Sequence, residues 1–199
     1  MDYKPIPILY RKSPPYILNV DFFDFTTKGG YKNFYFLGTK DNVGSKYTLT
    51  TDNTLIADTD NPILITGNDI NFDITFTTDV TIANAIATIS YTTNTNGSTT
   101  QTIAWTVYHY DGVTETSIGT VTGVVTSNAN AAFRKTLQVE LTEKKFNKGD
   151  ILRVNAVVTG SAWLRTFLDP AGTVSLTDAN TGGNINSSSQ INIPFKVEL

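Results

Sequence analysis

From Tyr47 to the C-terminus the chain presents one short alternating segment after another, and no stretch sustains a 3.6-residue apolar period. DINFDITFT sets Ile70, Phe72, Ile74 and Phe76 on one face and Asp69, Asn71, Asp73 and Thr75 on the other. QTIAWTVYHY does the same with Ile103, Trp105, Val107 and His109, and Asp111-Gly112 then closes a hairpin onto VTETSIGTVTG. FRKTLQVEL turns Leu137, Val139 and Leu141 inward. The turn Asn147-Lys148-Gly149-Asp150 leads into ILRVNAVV, and INIPFKVEL repeats the alternation with Ile191, Ile193, Phe195, Val197 and Leu199. Strands at this spacing, separated by turn residues, predict an all-β fold: an antiparallel β-sandwich, with about eight strands favouring the jelly-roll type.

Composition agrees. The 199 residues include 33 Thr and 18 Asn, and only 17% are charged, against roughly 25% in ordinary globular domains. Threonine and the aromatics suit a pleated, half-buried surface, whereas good helix formers are scarce.

The first 46 residues read differently. Pro5, Pro7, Pro14 and Pro15 break residues 1–16, which predicts an extended arm. LNVDFFDF and YKNFYFLG flank Thr27-Lys28-Gly29-Gly30 and predict an aromatic hairpin. A short hairpin is marginal alone, so this one either caps the sandwich or offers its aromatics as an interface. The expected organisation is an arm and hairpin over 1–46 and a sandwich over 47–199. Ile6, Ile8, Leu9, Tyr10, Tyr16 and Ile17 are too apolar for a solvated tail, so residues 1–16 are expected to dock on another copy, the alternative being that the arm folds back over its own sandwich.

Charge is unevenly spread. Residues 47–133 carry eight acids and no Lys or Arg, while residues 1–46 carry seven basic groups against four acids. Either threonine and asparagine simply solvate the middle strands, or an acidic face there matches the basic arm of a neighbour. No dense basic stripe exists for nucleic acid, and no apolar run approaches the roughly 18 residues of a membrane helix. The opening MDYKPIPILYRKSPPY lacks the unbroken apolar stretch of a secretory signal, so synthesis in a cytoplasm is expected.

Candidate sites are few. Without cysteine there is no disulfide, thiol nucleophile or zinc finger, and a single histidine excludes multi-histidine metal centres. His109 would have to serve any catalytic triad, yet no Gly-x-Ser-x-Gly elbow occurs and the residue is expected to pack or cap a turn. The carboxylate pairs Asp69/Asp73 and Asp58/Asp60 could cleave a glycosidic bond only if burial raised one pKa, and Asp69 and Asp73 belong to the solvent-facing side of their strand. Asp58-Thr59-Asp60-Asn61 gathers oxygen ligands for calcium but lacks the glycine and distal glutamate of an EF-hand, and these residues are ordinary turn formers. Trp105 is expected in the core. Trp163, beside Arg165, lies outside the strand pattern and is either a ligand platform, an interface anchor or a plug of the barrel end. The expectation is therefore no catalytic, metal or cofactor-binding residue.

LTEKKFNKGDILRVNAVV resembles a passage found late in trimeric jelly-roll domains of the tumour-necrosis/C1q type and in virion jelly rolls. VDFFDFTTKGGYKNFYFLGT followed by YTLTTD resembles the start of structural proteins of tailed viruses of microbes. That resemblance implies a non-enzymatic virion protein, a capsid decoration or minor capsid subunit. Its implied partners are other virion proteins (major capsid or tail subunits) and further copies of itself, with neither nucleic acid nor membrane. A carbohydrate- or receptor-binding module of a viral tail or fibre is the alternative.

Overall fold

The computed structural model describes residues 30–40, 47–55, 63–64, 69–95, 100–126, 132–160, 164–172, 176–177, 184–185 and 188–196. Among them the regular structure is entirely β. The first strands are β1 (Tyr31–Lys40), β2 (Tyr47–Thr50), β3 (Ile63–Leu64), β4 (Asp69–Thr75) and β5 (Val80–Ile82). The long central ones are β6 (Ile86–Thr95), β7 (Thr100–Tyr110), β8 (Glu115–Thr126) and β9 (Phe133–Glu140). There follow β10 (Lys144–Phe146), β11 (Ile151–Thr159) and β12 (Leu164–Phe167). The last are β13 (Leu176–Thr177), β14 (Asn184–Ile185) and β15 (Gln190–Lys196).

Thirteen of these strands form one connected sheet, with the path β3-β12-β6-β15-β1-β2-β4-β11-β7-β8; β9 adds to β6, β5 adds to β15, and β10 adds to β5. The sheet is mixed, which corrects the expectation of a purely antiparallel arrangement: β2 runs parallel to β4, with Tyr47 opposite Phe72 and Thr48 opposite Asp73. Chain path rather than side-chain alternation sets that direction, because residues 51–68 separate the two strands instead of a tight turn.

The sheet curls until β8 lies alongside β9. A Cβ on Gly119 would stand 2.7 Å from the Glu140 carbonyl oxygen and 2.9 Å from Val139 Cγ1, and one on Gly123 would stand 2.8 Å from Leu137. Glycine at these two places lets the ends of the sheet approach into a near-barrel. A bulge on β8 helps: Val107 faces Gly119 and Tyr108 faces Ser117, leaving Ile118 over, and the Ile118 carbonyl accepts a hydrogen bond from Thr142 N–H (2.8 Å).

Trp105 stands at the centre of the core, its ring 5.2 Å from Phe36, 5.3 Å from Tyr91 and 6.5 Å from Phe72. Phe76 links a second cluster, 5.2 Å from Phe146 and 6.1 Å from Phe195. The alternations read from the sequence hold: Phe72, Ile74 and Phe76, then Ile103, Trp105, Val107 and His109, and Val139 with Leu141, are all buried.

β1 is the second half of the aromatic hairpin expected from sequence. It sits inside the sheet, paired to β15 through Tyr31–Tyr35 and to β2 through Tyr35–Lys40, with Phe34 and Phe36 in the core. The other half of that hairpin and the arm over 1–16 lie outside the described residues.

Candidate functional site

Two clusters of buried, charged side chains lie where β4, β7 and β11 end together. Register explains the arrangement. On β11, Leu152 lies opposite His109 of β7, and the next residue, Arg153, lies opposite Tyr108 and Asp73. Successive residues of a strand point to opposite faces, so a histidine site on the inside and an arginine site on the outside stand back to back.

On the inner face, His109 Nε2–H donates to Asp150 Oδ2 at 2.7 Å, and the imidazole meets Phe146 edge-on at 4.6 Å. Asp150 closes the turn that the Asn147-Lys148-Gly149-Asp150 sequence predicts, with Gly149 at φ +97°. Its carboxylate also accepts from Asn147 N–H at 2.8 Å, while its own N–H donates to the Asn147 carbonyl at 2.9 Å. Phe76 and this turn exchange two further backbone bonds, Phe76 N–H to Asp150 O and Gly149 N–H to Phe76 O. Burial would raise the Asp150 pKa, but the His109 hydrogen bond and the Asn147 amide outweigh it and hold the carboxyl below its ordinary value.

On the outer face, Arg153 is only 6% exposed and grips Asp73 with two hydrogen bonds of 2.7 Å. Its third nitrogen pairs with Glu115, and its guanidinium lies 4.8 Å from the Tyr110 ring centroid. The Asp73 hydrogen bonds raise the Arg153 pKa above its ordinary value, against the opposing effect of burial. Beyond this cluster the polar row continues with Asn155 donating to Asn71 (2.8 Å) and Thr120 donating to Thr106 (3.2 Å).

A histidine–carboxylate pair is the part of a hydrolytic triad that takes up a proton, and it needs a nucleophile on the second ring nitrogen. Among the described residues none hydrogen-bonds that nitrogen, and His109 itself is buried at 7% exposure. The pair ties a turn to a strand, as the sequence reading expected of this histidine. Asp69 is exposed, and Asp73 is bound to Arg153 rather than solvated, which departs from the solvent-facing place expected of it. Trp105 is fully buried. Trp163, the Arg165 side chain and the Asp58–Asn61 loop lie outside the described residues. Among the described residues no group of three His, Asp or Glu could hold a metal, and no helix is long and apolar enough to cross a membrane.

Sequence reasoning missed the Arg153 cluster. Its one signal was a charged arginine inside the largely apolar strand ILRVNAVV, where only a paired charge is tolerated.

No family model matches the chain, and no curated protein does. Solved structures do share its fold. A CocE/NonD family hydrolase from Staphylococcus aureus matches with a TM-score of 0.58 and 11% identity, over 83% of this chain and 36% of the hydrolase. An alpha-amino acid ester hydrolase gives 0.57 and 9%, over 83% of this chain and 36% of that one. A second crystal structure of the staphylococcal hydrolase gives 0.53 and 12%, over 85% and 37%. The chain thus spans little more than a third of the length of these proteins.

The likeness corrects two expectations. A virion structural protein, whether capsid subunit or tail module, and a non-enzymatic role were both expected; the fold is instead one found within hydrolases. The physical reason is that strand alternation and turn spacing specify an architecture, and the same architecture serves enzymes and shells alike.

Proposed function

We propose that this chain takes part in ester hydrolysis as the β-structured unit of a larger enzyme, a jelly-roll-type body standing beside a separate catalytic unit. The observation that carries the reading is the fold likeness, which takes in 83% of this chain but only 36% of the hydrolase it matches. The reacting groups then belong to the part of the enzyme that has no counterpart here. This chain supplies a stiff body: a core centred on Trp105, with the His109–Asp150 and Arg153–Asp73 ties fixing one end of it on both faces.

The test is to tag the protein at its own locus, purify it in native form, and assay hydrolysis of a panel of α-amino acid p-nitrophenyl esters. Hydrolysis that co-elutes with the tagged polypeptide through gel filtration is expected, and the isolated 199-residue chain is expected to be inactive. Native material no more active than an untagged control would overturn the reading. So would turnover by the isolated chain that is lost in His109→Ala, because the chemistry would then lie within it.

A further inference from the structure

We infer that β8 is the dimerisation edge of this protein, pairing antiparallel with β8 of a second copy about a twofold axis through Thr122. The inference is independent of the hydrolase reading.

Sheet edges with unpaired backbone groups are templates for another strand, and proteins ordinarily blunt them by shortness, by charge or by proline. Four strands end the connected sheet or its branches among the described residues: β3, β8, β9 and β10. Three are blunted. β3 has two residues, β10 has three and carries Lys144 and Lys145, and β9 carries Arg134, Lys135 and Glu140. β8 is twelve residues long, and its part below the bulge, Gly119–Thr126, reads GTVTGVVT without a charge or a proline. Among the described residues its backbone pairs with β7 alone; β9 packs against its inner face at Gly119 and Gly123, and Thr142 takes up the Ile118 carbonyl above this stretch.

The same stretch is self-complementary. In an antiparallel pair, residues directly opposite share a face, so a twofold axis perpendicular to the sheet matches residues of like parity. Centred on Thr122, it sets Thr122 against Thr122, Thr120 against Val124, Val121 against Gly123, and Gly119 against Val125. Thr120, Thr122 and Val124 are all exposed, Val124 at 56%, and they would form a Thr–Thr pair flanked by two Thr–Val pairs. No like charges meet. A neutral edge matched to itself fits a second copy of this chain better than a charged partner strand, and the isologous pairing closes as a dimer rather than a filament.

The chain has no cysteine, which makes the register directly testable. Opposed Cα atoms in an antiparallel pair lie about 4.5–5.5 Å apart, within disulfide reach. Light scattering after gel filtration is expected to give twice the mass of one chain. Thr122→Cys is expected to form a covalent dimer rapidly under mild oxidation, while Gln138→Cys, an exposed position on β9, stays monomeric on gels without reductant. Thr122→Lys places two ammonium groups face to face and is expected to weaken association about tenfold or more while leaving the thermal midpoint of the monomer unchanged. Three results would each overturn the inference: a monomer at every concentration, a dimer that Thr122→Lys leaves intact, or Thr122→Cys cross-linking no faster than Gln138→Cys.

Discussion

Replacing His109 with alanine tests whether the buried His–Asp pair is a structural tie. The change removes one hydrogen bond to a charged carboxylate, which contributes about 1.5–3 kcal/mol. It also removes the edge-on contact with Phe146 at 4.6 Å. Aromatic contacts of that kind contribute about 0.5–1.5 kcal/mol. Asp150 keeps the Asn147 amide at 2.8 Å and so is not stranded. The expected loss at neutral pH is therefore about 2–4.5 kcal/mol, with no added penalty for an uncompensated buried charge. Urea titration followed by fluorescence of the buried Trp105 reads it directly. The pH dependence adds a signed check. In the wild type the Asp150 carboxyl is held below its ordinary 3.8, so its contribution is present above that value and is lost as pH falls through the lower folded pKa. Without His109, burial still pushes the pKa up and the main opposing contact is gone. The folded pKa then moves up toward or past the unfolded one, so the variant should lose less stability to acid than the wild type does. A loss below about 0.5 kcal/mol, within the range of an ordinary surface change, would refute the tie. An acid limb as deep as that of the wild type would refute the assigned cause of the Asp150 shift.

Two further substitutions probe the core and the seam. The Tyr91 hydroxyl is buried beside Trp105 with no hydrogen bond of normal geometry, and burial pushes its pKa up to about 12. Tyr91→Phe should therefore be neutral or stabilising by up to about 1–2 kcal/mol in urea unfolding; a clear destabilisation would mean the hydroxyl has a partner. Gly119→Ala would drive a methyl group to 2.7 Å from the Glu140 carbonyl oxygen and is expected to cost about 1–3 kcal/mol by thermal or urea unfolding, whereas Gly112→Ala, with nothing within 4 Å, pays only its φ of +95°.

What could be read from the residues depended on whether a strand buries one face or two. β4 and β7 alternate cleanly because one face is fully buried in the core and the other only partly covered, so Phe72, Ile74, Trp105 and Val107 were legible one by one. β11 is central and buried on both faces from Leu152 to Ala156, so Arg153 and Asn155 occupy positions that alternation alone would assign to solvent. Their partners lie 80 and 84 residues away, a separation that no local pattern encodes. The parallel step from β2 to β4 was hidden for the same reason. The turn at Asn147–Asp150, by contrast, was legible because Gly149 must adopt a positive φ there.

Function was the least legible level, and the physics of the fold explains why. The features that suggested a virion protein were an aromatic opening, a lysine-glycine-aspartate turn and evenly spaced strands. Each has a purely structural job here: Phe34 and Phe36 fill the core, and the turn ending in Asp150 holds His109. A motif whose residues are consumed by packing carries information about architecture only. Information about chemistry must come from side chains that packing leaves over. Arg153, Asp73 and Glu115 are likewise spent on one another, and the His109 pair is spent on a turn. The uncharged lower half of β8 is a feature of another kind, a backbone edge rather than a side-chain site. The two proposals are accordingly tested at association: co-elution of hydrolysis for the enzyme reading, and the mass and cross-linking of the chain for the β8 edge.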